Sequence, residues 1–301
     1  MNYVTVIATQ KLDDKDKQVG IFFDRNRLND LYGYDLNSAT VLDTLERGYE
    51  QTAPLEEATK ERLKETQVVH FDETGIRVGG KLYWMHTAST SDDTYLFIDE
   101  KRGYDALISE QSLIKDFNGT AVHDCLPAYF KFDDVYLHAL CGSHLLRELN
   151  GLKKNGSVWA EQMHEFLLDL YKAPRPITIF QNEIRSYYQD ILEQADQEEP
   201  PPKKGKRGRP KQSPGRNLLD RLSKYEEGVL AFAFRVGVPF TNNQAELDLR
   251  PSKVKLKVSG CFRTVEGARI YARIQAATST FRKHDQNVFT SLRQVFAAPV
   301  A

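Results

Sequence analysis

Residues 67–90, QVVHFDETGIRVGGKLYWMHTAST, decide the fold class. The apolar run Val68–Phe71, continued by alternating apolar residues up to Val78, predicts one strand. Gly79-Gly80 predicts a tight turn, and Leu82–His86 predicts the returning strand. The stretch therefore predicts a β-hairpin with apolar side chains that other elements must cover.

The residues after this hairpin alternate between strand and helix patterns. The sequence predicts a third strand at 94–99, a helix at 104–116, a short buried strand at 119–124, a strand at 135–140 and a helix at 143–150. A three-strand meander followed by strand–helix alternation is typical of an α/β fold with a mixed sheet.

Helical patterns dominate the remainder of the chain. Residues 37–66 have apolar side chains at helical spacing, with a break expected at Pro54. The predicted regions are a helical N-terminal region 1–66, a first core part 67–150, a mostly helical insertion 151–238 with a basic, proline-rich linker 198–217, and the end of the core with C-terminal helices at 239–301. Within them, helices are predicted at 157–197, broken by the Pro174–Pro176 pair, and at 217–235, 266–283 and 286–296.

Composition excludes several classes of protein. The 301 residues are 41% hydrophobic and 28% charged, as expected for a globular chain. No apolar run reaches the ~18 residues of a membrane span, and the start lacks a signal-peptide pattern. Three Cys in such a chain favour a reducing compartment, so we expect a cytoplasmic protein with free thiols and no membrane partner. Neither a phosphate loop nor a G-x-S-x-G elbow occurs.

The net charge of −1 hides a strong polarity along the chain. Residues 1–202 carry 21 basic and 35 acidic side chains, whereas residues 203–301 carry 20 basic and 7 acidic ones. A net of +13 in the second part is of the sign and size expected for contacts to nucleic-acid phosphates. Attraction between oppositely charged parts of one fold is the alternative explanation.

Three carboxylates lie at positions where a fold must stabilise them. Asp72 and Asp124 each end an apolar strand, and Glu246 lies in the first turn of a predicted helix. If the three converge, their repulsion requires a cation, and an all-oxygen site suits Mg²⁺ or Mn²⁺. Two such ions, about 3.5–4 Å apart, would activate an attacking oxygen and stabilise a leaving one. Alternatively, each Asp forms a turn, and Glu246 closes a capping box with Asn243.

Four blocks of the chain resemble one known family. HFDETGIRVGGKLYWMHTAST, GTAVHDCLPAYFKF, LHALCGSHLLREL and VPFTNNQAELDLRPSKVKLKVSGCFRT are similar, in this order, to transposases of bacterial insertion sequence sixty-six elements. The resemblance runs from about Leu31 to the C-terminus and implies a DDE enzyme with a ribonuclease-H-like core. By motif, Asp72 and Asp124 are its two aspartates and Glu246 is its glutamate.

The first 30 residues depart from the family pattern, in which an N-terminal region recognises transposon ends. We therefore expect a truncated or altered front end, with the catalytic triad intact.

Cys141 and His144 have a spacing seen in metal sites. Since no second Cys/His pair completes a four-ligand zinc site, zinc binding is left open. The pair resembles the C/D-x-x-H motif that follows the second aspartate in several DDE transposase groups, where it supports the active site. We expect the same supporting role here.

Two basic runs predict DNA contacts. KKGKRGRPK at 203–211 could follow phosphates or a narrow minor groove, and alternating lysines at 253–257 predict a basic strand face after Pro251 ends the Glu246 helix. A solvated linker and a solvated strand face are the alternatives. The predicted DNA-contacting residues are Lys203, Lys204, Lys206, Arg207, Arg209, Lys211, Arg250, Lys253, Lys255, Lys257 and Arg263.

The sequence as a whole predicts a transposase that cleaves DNA and transfers strands with two Mg²⁺ ions, for which Mn²⁺ could substitute. Its expected partners are transposon ends and target DNA, a second copy of the chain on DNA, and accessory element-encoded proteins. Two alternatives are a catalytically silent DNA-binding remnant and a stand-alone metal-dependent nuclease.

Overall fold

The computed structural model describes residues 38–132, 134–202 and 211–297. They form two compact units, the first from 38–119 and 243–297, the second from the described part of 120–242. The predicted domain boundaries stay a prediction. The prediction of a truncated or altered front end concerns the first 30 residues, which lie outside the described ranges.

The described strands number five: β1 Val68–Val78, β2 Lys81–Ser89, β3 Thr94–Asp99, β4 Thr120–His123 and β5 Leu137–Leu140. The helices among the described residues are α1 Ser38–Gln51, α2 Ala53–Glu65, α3 Tyr104–Leu107, α4 Gly142–Lys153, α5 Val158–Lys172, α6 Gln181–Glu198, α7 Pro214–Lys224, α8 Glu226–Phe234, α9 Asn243–Ser259, α10 Val265–Lys283 and α11 Val288–Ala297. The fold class is mixed α/β, as predicted, with the helical segments α1 and α2 ahead of the strands. The chain order of strands and helices is consistent with a ribonuclease-H-like core.

The first unit is built on an antiparallel meander. β1 pairs with β2, and β2 pairs with β3. Gly79 and Gly80 have φ of 55° and 81°, which a two-residue hairpin turn needs and glycine adopts without strain. The predicted hairpin is therefore confirmed.

Two long helices cover the strands of the first unit. α9 packs on β1 and β2, and α10 packs on β3. Ile76 and Met85 of the strands meet Leu249, Phe262 and Ala272 in one apolar cluster. Burial of this cluster fixes the position of α9, which carries Glu246.

The second unit joins a parallel strand pair to helices. β4 and β5 run parallel, with Val122 opposite Ala139. α8 packs on β5, and α4, α5 and α6 pack in sequence. Trp159, Leu145 and Tyr188 are each almost fully buried, so this unit has an apolar core of its own.

Two predicted helices differ from the structure. The predicted helix 104–116 is only the short α3 and a 3-10 turn at Ile114–Asp116. The Ser112 hydroxyl accepts a hydrogen bond from the Ile114 N–H, and such serine contacts compete with helix formation. The predicted helix 217–235 is divided into α7 and α8 at Tyr225, whose ring stacks on Phe130 with 3.6 Å between centroids.

No helix among the described residues combines the length and the apolar character that a membrane span requires.

We expect Gly142→Ala to destabilise the protein by about 1–3 kcal/mol, because the added methyl group overpacks the core. A Cβ at Gly142 would lie 2.2–2.7 Å from three atoms of the Phe240 ring. Gly151 is in the same helix and has nothing within 4 Å of its Cβ position, so Gly151→Ala should gain roughly 0.5–1 kcal/mol. Urea unfolding measures the free energy of unfolding of both variants. Equal changes in the two variants would contradict the overpacking at Gly142.

We expect His86 to make stability pH-dependent. Burial lowers the pKa of His86 to about 4, although its ring N–H donates to the Lys101 carbonyl. As the pH falls below the ordinary value of about 6.5, the unfolded chain takes up a proton that the folded chain cannot, and stability is lost at about 1.4 kcal/mol per pH unit. His86→Gln should remove about 2 kcal/mol of the loss between pH 7 and 5, measured by urea unfolding. The exposed His284→Gln is the control, and an unchanged pH slope in His86→Gln would refute the assignment.

Candidate active site

Asp72 lies inside β1, opposite Thr87 of β2, and is partly exposed. The prediction that it ends a strand is wrong, because pairing with β2 continues to Val78. One Asp72 carboxylate oxygen accepts the Glu73 N–H at 2.8 Å. Asp72 is thus a carboxylate held on a rigid strand and within reach of solvent.

Glu73, the next residue, is committed to an ion pair. Its side chain is fully buried and accepts a hydrogen bond from Arg102 Nε at 2.8 Å. The Arg102 guanidinium lies 4.9 Å from the centre of the Trp84 ring. Although neighbouring side chains on a strand start towards opposite faces, a carboxylate oxygen of Glu73 and one of Asp72 lie within 4.8 Å of each other.

Glu246 lies in the first turn of α9 and is partly exposed. Its neighbours Ala245 and Leu249 are buried on the face of α9 that packs on β1 and β2. Asp72 and Glu246 are therefore carried by elements that contact each other within the first unit.

α9 continues through Pro251 to Ser259, so the predicted end of the helix and the predicted basic strand at 253–258 are wrong. Pro251 lacks the N–H that would donate to the Leu247 carbonyl, and its ring crowds that carbonyl, so proline alone would disfavour the continuation of α9. Leu249 and Ser252 are fully buried, and this packing outweighs the strand-like alternation of Lys and Val.

A buried ion pair fixes α9 at its first turns. Lys283 Nζ lies 2.7 Å from Asp248 Oδ2, and the Ser279 hydroxyl donates to Asp248 Oδ1 at 2.7 Å. Lys283 also donates to the carbonyls of Thr90 and Asp93. Burial lowers the pKa of Lys283, while the Asp248 charge opposes that shift. The network connects α9, α10 and the turn between β2 and β3.

Asp124 belongs to the second unit and follows β4 directly, as predicted. One of its carboxylate oxygens accepts the Leu126 N–H at 2.9 Å. His123, immediately before it, is fully buried, and its Nε2 lies 2.8 Å from Nδ1 of His138. Burial lowers the pKa of His123 to about 3, which keeps the ring neutral.

Cys141 and His144 open α4 in the second unit. The Cys141 thiol accepts the Asn242 N–H at 3.2 Å and lies 3.0 Å from the Ser143 hydroxyl. Burial raises the pKa of Cys141, but its hydrogen bonds with His144, Ser143 and Asn242 outweigh burial, and the net shift is downward. The Cys141 thiol is thus held by hydrogen bonds at the N-terminus of α4 rather than only by apolar packing.

The predicted DNA-contacting residues fall into three groups. Lys203, Lys204, Lys206, Arg207 and Arg209 lie outside the described residues. Lys211, Arg250, Lys253, Lys257 and Arg263 are exposed. Lys255 is half-buried, with Nζ 4.0 Å from the centre of the Phe262 ring.

Sequence reasoning missed Arg102 and the Asp248–Lys283 pair. The burial of Asp248 could have been predicted, since it falls on the same helix face as the buried residues Ala245, Leu249 and Ser252. No sequence pattern indicated Arg102 or Lys283, because each contacts its partner only in the folded chain.

A mixed α/β chain with one carboxylate on a strand, one directly after a strand and one at a helix start is consistent with a ribonuclease-H-like fold. The family model described as "Transposase IS66 family" matches residues 25–270 of the 301. The chain therefore belongs to the IS66 family of transposases, which confirms the resemblance in its motifs. The match includes Asp72, Asp124 and Glu246. No curated protein matches the chain.

Proposed function

We propose that this transposase cleaves DNA at transposon ends and joins the freed 3′-hydroxyl to target DNA, using Asp72, Asp124 and Glu246. Membership of a transposase family over residues 25–270 carries the proposal, and Asp72, Asp124 and Glu246 lie in the segments that resemble the family's motifs. The contact between the elements of Asp72 and Glu246 supports their joint use.

The donor set fits a divalent metal that prefers oxygen. Asp72, Asp124 and Glu246 offer only carboxylate oxygens, and each side chain is partly exposed rather than sealed in the core. Oxygen ligands suit Mg²⁺, with Mn²⁺ as a substitute, better than zinc. Bound at such carboxylates, Mg²⁺ supplies charge that stabilises both oxygens of an in-line displacement.

The chain's own groups would bind and orient the substrate. Asp72 and Glu246 hold their positions through β1 and the buried face of α9, so that the reacting phosphate meets a rigid pair of ligands. Cys141 and His144 support the site in this proposal. Transposon ends and target are the DNA partners, and paired copies of the chain and accessory proteins are further expected partners.

One assay tests the proposal. A labelled DNA fragment that contains the transposon end is incubated with the protein in Mn²⁺, in Mg²⁺ and in EDTA, and nicked and joined products are separated. We expect both products with either metal and neither in EDTA. Nicks without joined products would indicate a nuclease. Metal-independent binding without any cut would indicate a silent DNA-binding remnant, and either result would overturn the proposal.

A further inference from the structure

The first unit contains a cavity beside strand β3. Its volume is about 260 Å³, and it is bounded by residues 95–98 of β3, by Glu56 and Lys60 of α2, and by Arg269 and Arg273 of α10. Sites for drug-sized ligands usually measure about 300–1,000 Å³, so this space suits a smaller group. Among the described residues that line it, none belongs to the candidate active site. We call it the β3 cavity.

The floor of the β3 cavity is the open edge of β3. β2 pairs with one side of β3, and no other described strand pairs with the second side. The Thr94 N–H donates to Thr280 Oγ1 at 3.1 Å, so it points to this second side. Because backbone groups alternate along an antiparallel strand, the N–H and C=O groups of Leu96 and Ile98 point the same way. Both residues line the cavity and are almost fully buried, so these groups lie at its bottom, about 7 Å apart.

Cationic side chains outnumber carboxylates around the β3 cavity. The charged residues that line it are Lys60, Arg269, Arg273 and Glu56. Arg273 lies 2.9 Å from the Glu56 carboxylate, and it also donates to the Tyr49 carbonyl. Since that ion pair is neutral as a whole, Lys60 and Arg269 give the cavity its positive charge.

Lys60 and Arg269 are available to an anionic ligand. Arg269 is exposed, and none of the ion pairs within residues 38–132, 134–202 and 211–297 includes it. Lys60 Nζ lies 3.3 Å from Glu57 Oε2, but the Glu57 side chain is 64% exposed, and ion pairs so open to water are weak. A carboxylate that enters the cavity can therefore pair with both cations without breaking a strong contact.

We infer that the β3 cavity binds a short, extended, acidic segment of a partner protein. The backbone of the segment pairs with the outward groups of Leu96 and Ile98, as an added strand does, and a carboxylate of the segment lies between Lys60 and Arg269. A nucleic-acid strand also carries negative charge, but it lacks the regularly spaced N–H and C=O groups of a peptide backbone. The floor of the cavity therefore favours a peptide. The inference goes beyond the proposed function, because no step of DNA cleavage uses this cavity.

Peptide binding to the full chain tests the inference. The probe is a fluorescein-labelled heptapeptide with blocked ends in which valine and glutamate alternate, and its affinity is measured by fluorescence anisotropy. Replacement of its glutamates by lysine tests the charge. Replacement of its two inner valines by proline tests the backbone pairing, because proline keeps the charge but has no N–H. We expect each changed peptide to bind at least about 10-fold more weakly than the probe.

Matched variants assign the binding to the β3 cavity. Lys60→Gln combined with Arg269→Gln should weaken binding of the acidic peptide about 25-fold, or about 5-fold for each lost ion pair. The control combines Lys115→Gln with Arg282→Gln, which removes an exposed lysine and an exposed arginine of the same unit that do not line the cavity. It should bind the peptide within about twofold of the wild type.

Four results would overturn the inference. They are failure of the wild type to bind the acidic peptide, equal binding of the lysine peptide, undiminished binding of the proline peptide, and equal losses in the two double variants. Binding of a 30-bp duplex is measured on the same proteins. If the Lys60 and Arg269 double variant lost affinity for the duplex and kept its affinity for the peptide, the two cations would be DNA contacts and not part of a peptide site.

Discussion

Glu246→Gln should reduce metal-dependent cleavage of transposon-end DNA by at least about 10³-fold, or roughly 4 kcal/mol of transition-state stabilisation. The amide is nearly isosteric but carries no negative charge, so it binds Mg²⁺ poorly. Glu246 lies at the exposed start of α9, and the substitution removes no packing from the buried face of that helix. Asp72→Asn should have an effect of similar size. Single-turnover cleavage in Mg²⁺ is the measurement.

The matched control is Glu266→Gln, which changes an exposed glutamate in the first turn of α10. It should leave the cleavage rate within about twofold of the wild type, since a surface charge far from the reacting groups contributes little. Urea unfolding should show equal stability for all three proteins within about 0.5 kcal/mol. If Glu246→Gln cut DNA at the wild-type rate, Glu246 would not be a metal ligand.

The hairpin of the first unit was predictable because its signals are local. The alternation in β1 and the Gly79-Gly80 turn need no other part of the chain to be recognised. α9 was not predictable to its end, since Lys-Val-Lys-Leu-Lys-Val alternates like a strand. Burial of Leu249 and Ser252 decided between the two, and that burial depends on residues distant in the sequence.

The same division holds for the candidate site. Asp124 and Glu246 could be placed at a strand end and a helix start from the sequence around them. The contacts next to Asp72 and Glu246 could not be predicted. Arg102 is 29 residues away in sequence from its partner Glu73, and Lys283 is 35 residues away from Asp248. Contacts at such separations are set by the fold, and one sequence carries no local trace of them.

Asp248→Ala should cost about 3–5 kcal/mol of stability, the usual loss when one partner of a buried ion pair is removed. Lys283 is only 11% exposed, and without the Asp248 carboxylate its ammonium would remain buried with two carbonyl acceptors and without its ion-pair partner. The Ser279 hydroxyl would also lose its acceptor. We expect the pKa of Lys283 to fall further, because burial already lowers it and Asp248 contributes most of what raises it, ahead of Asp93 and Asp92. Urea unfolding at pH 7 measures the loss.

A second variant separates the lost pairing from lost packing. If the buried charge is the main cost, Asp248→Ala combined with Lys283→Met should be more stable than Asp248→Ala alone, although it changes more atoms. The exposed pair of Asp169 and Lys172, with side chains 76% and 69% exposed, is the control, and Asp169→Ala should change stability by less than about 0.5 kcal/mol. A double variant no more stable than Asp248→Ala would contradict the buried-charge explanation. It would assign the contribution of Asp248 to its hydrogen bonds with Ser279 and Gln244, which also position the first turns of α9.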